Sequence, residues 1–281
     1  MRAALCLSLL SLAACKKAPP DAPKELADLG LFLFAHFEDE DTAELEQGLI
    51  NLKPLIAEMD LDADAKDLAV TMPILDGDNL GGLSIPSGAD ASVQVPVALP
   101  ALSDHSTAKN KQLAVEPNQV CIESETTKWA GREFLTDESC WEGGGCDRLE
   151  TLTEVRKESI LAKVWYDQYK TYRSFTLEDE DGNTYDAVIA RSWTEEVFPA
   201  DGGNNSWDQL FQLDIYIDDG NQALRWFVMW SSVTLGGIGD DAYSQLVVDG
   251  VSDAYIYGDE FISGTIDACK NDRNAEKPDR E

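Results

Sequence analysis

The side chains in this sequence that are best equipped for chemistry are few. There are two histidines, His36 and His105. His105 stands in Ser103-Asp104-His105-Ser106-Thr107, from which a Ser–His–Asp arrangement for nucleophilic attack could be drawn on paper. Such a triad needs its serine presented on a sharp turn, and no G-x-S-x-G elbow occurs in the chain. His36 adjoins an apolar helical run and suits packing better than catalysis. Acidic clusters at Glu178-Asp179-Glu180-Asp181-Gly182-Asn183 and Asp76-Gly77-Asp78-Asn79 could offer oxygens to a calcium ion. The glycine offset is wrong for an EF-hand and no closing Glu follows, so both read as turns. No C-x₂-C pair with a nearby histidine favours zinc, and H-E-x-x-H and Walker loops are absent. Carboxylate pairs for glycoside hydrolysis abound in so acidic a chain, but nothing singles one out. The sequence therefore nominates no catalytic residue, no metal ligand and no cofactor.

Tryptophan and cysteine say more. Of seven tryptophans, Trp207 closes the loop-like stretch Gly202-Gly203-Asn204-Asn205-Ser206-Trp207, and Trp226 and Trp230 lie in an apolar run. These three are the candidate ligand contacts, with core packing as the competing role. Six cysteines are present. Cys6 falls in the N-terminal leader and Cys15 directly after it, leaving Cys121, Cys140, Cys146 and Cys269, an even number that suits two disulfides in an exported chain. Three pairings are possible. The glycines at 143–145 let the chain fold back between Cys140 and Cys146, and elimination then joins Cys121 to Cys269.

The elements that must position these residues form an α+β pattern. Residues 25–60 read as a helical segment, with Asp41-Thr42-Ala43-Glu44 as a capping box and Leu45, Leu49, Leu52, Ile56 and Met59 at helical spacing. Pro54 should kink or restart that helix. Residues 61–118 are irregular or extended, and the prolines around Val93–Pro100 argue for an edge strand or an ordered loop. From 119 to 269 the chain reads as an antiparallel meander followed by a long amphipathic helix packed on it. The run 211–217 alternates apolar and polar, whereas 224–230 is apolar on both faces and should be central. Asp240 and Asp241 cap the helix, whose apolar stripe includes Tyr243, Val247 and Val251; Gly250 and Gly258 suggest close packing or a kink. Residues 270–281 are a polar tail expected to be disordered.

Residues 1–14 carry one arginine and then a short apolar stretch, far below the roughly 20 residues a bilayer span requires. They end in Leu12-Ala13-Ala14, directly before Cys15. Leu-Ala-Ala-Cys resembles the lipobox of bacterial lipoprotein precursors, which implies cleavage before Cys15 and acyl chains, palmitate among them, on that cysteine. Residues 15–24 form a Pro-rich spacer that would hold a domain off the membrane. Lys16, where retained lipoproteins carry Asp, implies outer-membrane sorting. The net charge of −31, from 53 acids against 22 bases, opposes any nucleic-acid role and reads as solubility, or as an affinity for cations or a basic partner.

Over roughly 150–266, the order of meander and C-terminal helix is similar to the helix-grip fold of START and polyketide-cyclase-like proteins, which hold apolar ligands between sheet and helix. That resemblance implies a lipid-like ligand lined by Trp226, Val228, Trp230, Val247 and Val251. The leading expectation is a non-catalytic lipoprotein of the cell envelope, partnered by the membrane through its lipid and serving binding or interaction. The alternatives are a carrier of a hydrophobic ligand, or a hydrolase using carboxylates that the sequence does not reveal.

Overall fold

The computed structural model describes residues 21–159, 163–201, 205–234, 236–264 and 277. Cys15, Cys269, the leader and all of the tail but Lys277 lie outside the described residues. Helices α1 (Leu26–Ala35) and α2 (Ala43–Ala57) come first, α2 running through Pro54 in its last turn. The stretch expected to be irregular holds a four-residue helix α3 (Ala65–Leu68), a two-residue strand β1 (Val70–Thr71) and a nine-residue strand β2 (Val95–Ser103). A short α4 (Thr107–Asn110) leads to β3 (Thr127–Phe134), α5 (Glu138–Glu142), β4 (Arg148–Glu158), β5 (Lys163–Glu178) and β6 (Thr184–Trp193). The two-residue β7 (Phe198–Pro199), then β8 (Ser206–Asp219) and β9 (Gln222–Thr234), precede the long α6 (Asp240–Ser263).

The strands form one antiparallel sheet in the order β1-β2-β9-β8-β6-β5-β4-β3, with β7 joined to β8. From β3 to β9 this is a meander whose turns come from local chemistry. Asp179 Oδ1 accepts from the backbone N–H groups of Asp181 and Asn183, closing the β5–β6 turn, and Gly182 takes a positive φ there. Asp76 Oδ1 likewise accepts from the Asp78 N–H and the Asn79 amide. Both acidic clusters are thus spent on turns. β2 alone arrives from far away, pairing with β9 from Val95↔Ser231 to Ser103↔Ala223. Its prolines are tolerated because its other side is bordered by only the two residues of β1.

Strand alternation divides the sheet into two faces. Phe211, Leu213, Ile215 and Ile217 of β8, with Leu224, Trp226, Val228 and Trp230 of β9, meet α1 and α2 in the largest apolar core. Leu29, Leu33 and Phe34 supply the α1 side, and Gly30 lets the helix sit directly on Trp226. Arg191 fastens this layer. Its buried guanidinium donates to Glu38 Oε1 at 2.9 Å and to the carbonyls of Phe34 and Gly81. The other face carries α6, with Val97, Leu99 and Val248 in contact at one edge. An antiparallel sheet clasped by a long C-terminal helix is the helix-grip arrangement. No helix among the described residues is long and apolar enough to cross a membrane.

Candidate functional site

Two fastenings hold α6 over the sheet. Near its start, the Tyr243 hydroxyl donates to Ser231 Oγ at 2.9 Å. Near its end, Arg225 reaches up from β9, 1% exposed, and donates to Asp259 Oδ1 at 2.5 Å, Asn110 Oδ1 at 2.7 Å and Ser103 Oγ at 3.0 Å. Its second terminal nitrogen donates to the Tyr255 carbonyl at 3.0 Å. Both terminal nitrogens of the buried guanidinium are thus paired, as an unpaired buried charge would cost several kcal/mol, and only its Nε has no partner among the described residues. His105 belongs to this latch: its Nε2 lies 3.0 Å from the Asp259 carbonyl and 2.9 Å from Ser263 Oγ. His36 pairs with Asp39 at 2.6 Å beside the Phe32 ring.

Between the fastenings the helix stands off the sheet and leaves a cavity of about 500 Å³. That volume lies in the range of small-molecule sites. Val155, Tyr166, Leu210, Phe227 and Met229 give it an apolar floor, while Val247, Val251 and Ala254 form the roof. At one end the lining residues are exposed: Glu125, Thr126, Ser159, Asp249 and Leu246, the last 47% exposed. They gather where the loop 124–126 meets α6, tied there by Tyr257 donating to Glu125 Oε1 at 3.2 Å. This is the mouth.

The inner wall is polar. The even positions of β8 place Gln212, Asp214 and Tyr216 on the cavity face, and β5 adds Gln168 and Lys170. Gln168 donates to Gln212 Oε1 at 2.9 Å, and Lys170 Nζ lies 3.3 Å from Asp214 Oδ2. Burial opposes the Lys170 charge, but neighbouring Tyr172 and Asp214 more than offset it and hold its pKa above the ordinary lysine range. Burial pushes the Tyr216 and Tyr255 phenols well above their usual range, with Asp214 adding to both. They stay neutral at any physiological pH. Arg132 donates to the Ala114 carbonyl at 2.8 Å and to Thr153.

Of the residues nominated from sequence, Trp207, Val247 and Val251 line this cavity. Trp226, Val228 and Trp230 do not. The two-residue period of β9 turns them to the opposite face, where all three are fully buried under α1 and α2, and the Trp230 indole donates to the Pro73 carbonyl at 2.8 Å. They are core, and their odd-numbered neighbours Phe227 and Met229 face the cavity instead. Cys140 and Cys146 are bonded, Cα–Cα 5.4 Å, around the 143–145 glycines. Their loop carries Trp141, fully buried against Tyr172. Cys121 is disulfide-bonded, and its expected partner Cys269 lies outside the described residues. The polar cavity wall was missed from sequence, although the alternation that places Gln212, Asp214 and Tyr216 on one face is visible in β8.

No protein-family model matches the sequence, and comparison with curated proteins gives no match. Among solved structures, the chain is similar to a STAR-related lipid transfer protein from Xanthomonas axonopodis at 12% identity and TM-score 0.40, over 60% of this chain and 85% of that one. It is similar to a START superfamily protein from Mycobacterium smegmatis at 9% identity and TM-score 0.34, over 61% and 99%. An aromatase/cyclase from Streptomyces shows 7% identity and TM-score 0.35, over 61% and 93%. Scores of this size transfer nothing about ligand or activity.

Proposed function

We propose that this chain binds a hydrophobic small molecule between sheet and α6 and serves as its carrier at a bacterial envelope, anchored through lipid on Cys15. The observation that supports the carrier role is the cavity itself: about 500 Å³, apolar on floor and roof, open at one end and polar at the other. A core meant only for stability would be packed, since buried voids cost stability. The anchor rests on the Leu12-Ala13-Ala14-Cys15 sequence and its Pro-rich spacer. The carrier reading takes precedence over a surface interaction role because the cavity offers a specific place for a ligand.

Native mass spectrometry on the full chain, produced in a bacterial envelope, tests both parts. The expected result is an N-terminal Cys15 peptide of acylated mass, and an apolar molecule near one per chain. Val251→Trp, which fills the roof of the cavity, should lose that molecule while keeping its circular dichroism. A native chain that stays bare after incubation with lipid extract, or a Val251→Trp chain that retains the adduct, would remove the cavity as the site.

A further inference from the structure

Two buried side-chain atoms on the cavity wall have no hydrogen-bond partner among the described residues. One is Asp214 Oδ1; the other is the Tyr255 hydroxyl. They belong to one end of the cavity. Asp214 and Tyr216 sit two apart on the same face of β8, Tyr216 pairs across to Arg225, and the Arg225 guanidinium lies 4.8 Å from the Tyr255 ring. This end is beneath the latch. Buried polar atoms left unpaired each cost about 1–3 kcal/mol, and of the ten such side-chain atoms among the described residues these two alone belong to residues lining the cavity, where a ligand can reach them.

The chemistry of the two atoms selects what would satisfy them. A carboxylate oxygen only accepts, so the ligand must bring a donor. The Tyr255 hydroxyl can donate to the same ligand atom, and one alcohol oxygen can donate to the first and accept from the second. An anionic headgroup is disfavoured, because the cations beside Asp214 on the cavity wall are engaged, Lys170 by Asp214 and Arg132 by backbone carbonyls and Thr153, while Arg225 lies outside the lining with its charge paired to Asp259. A negative head would also meet the Asp214 charge directly. Size narrows the choice further. A cavity of about 500 Å³ lies in the lower half of the roughly 300–1,000 Å³ range of small-molecule sites, which suits a single chain or a small ring system.

We infer that the ligand is a neutral, single-chain or small-ring hydrophobic alcohol, bound hydroxyl-first with its oxygen at Asp214 Oδ1 and the Tyr255 hydroxyl and its apolar body toward the mouth. This deepens the carrier reading and rests on it. The test compares tetradecanol, tetradecanoate and tetradecane, delivered from cyclodextrin, by displacement of a polarity-sensitive dye from the full chain. Tetradecanol should bind roughly tenfold or more tightly than tetradecane, the worth of a hydrogen bond to a charged acceptor, with tetradecanoate weakest. Tyr255→Phe removes a hydroxyl that has no protein partner, so folding is untouched; it should weaken tetradecanol severalfold and leave tetradecane unchanged. Asp214→Asn releases Lys170 from its counter-ion and should reverse the order in favour of tetradecanoate. Equal binding of alcohol and alkane, or tighter binding of the acid by the native chain, overturns this inference and leaves the carrier reading standing. Failure of all three to bind a correctly folded chain overturns both.

Discussion

Glu38, in the turn that follows α1, accepts from Arg148 at 2.7 Å and from Arg191 at 2.9 Å, so a single carboxylate ties the N-terminal helices to β4 and β6. Burial alone would raise its pKa. The Arg148 hydrogen bond and the charges of Arg191, Arg148 and Arg173 more than offset this and hold it below the ordinary glutamate range. A carboxyl depressed in the folded state contributes stability that is fully present above its unfolded pKa and fades as pH falls through the folded one. The urea midpoint of the native chain should therefore drop below roughly pH 4–5, the usual glutamate range. Glu38→Gln should flatten part of that acid limb while lowering stability at neutral pH. An unchanged acid limb in the variant would show that other carboxyls govern it. Residue identity was only partly legible in the sequence. Tryptophan at 226 and 230 signalled aromatic burial correctly, but which face they served depended on the parity of β9 against a sheet whose second cover, α1 and α2, could not be located from spacing. The partners of Glu38 lie more than a hundred residues away, beyond the reach of any local pattern.

At the scale of elements, α6 shows what its glycines do. Gly258 is buried, and a methyl in place of its hydrogen would lie 3.3 Å from Leu113 Cδ1 and 4.0 Å from Arg225, so it allows the close approach that the latch needs. A methyl at Gly250 would meet only Ser124, at 3.9 Å, an ordinary contact. Gly250→Ala should thus keep the packing and gain helix propensity, about 0.8–1 kcal/mol and a few degrees in Tm. Gly81 is the contrast. Its φ is +53° and a methyl would lie 2.7 Å from the Ala35 carbonyl, so Gly81→Ala should lower Tm and loosen the α1 contact. Differential scanning calorimetry of the two variants reads both signs, and a destabilised Gly250→Ala would mean that the 124–126 loop presses closer on the helix. The meander and α6 were legible because alternation and helical spacing are local, although Asp240 and Asp241 fall in the first turn of α6 and the N-cap is Gly239, with no side-chain cap. Residues 61–118 were not: β2 is a full-length strand whose prolines and neighbours look like loop, and only its pairing with β9 makes it a strand.

Taken whole, the molecule carries a net charge of −31 on a single sheet covered on both faces. Self-repulsion of that size opposes the compact state until salt screens it, the Debye length falling from about 30 Å at 0.01 M to about 8 Å at 0.15 M. Thermal stability should rise by several degrees when sodium chloride is raised across that interval. A flat response would mean that local pairs, not the overall field, set the electrostatics. The pairing of β2 with β9 has a consequence in time. Residues 95–103 must find 222–234, so the order of synthesis leaves β2 without its long partner while some 130 residues are added, roughly 7–25 s at 5–20 residues per second. Throughout that interval Val95, Val97 and Leu99 present an open, sticky edge, and the sheet closes only when nearly the whole chain has emerged. The pair that closes this end of the sheet is therefore the last to be available, and the C-terminal third of the chain decides when the fold is complete.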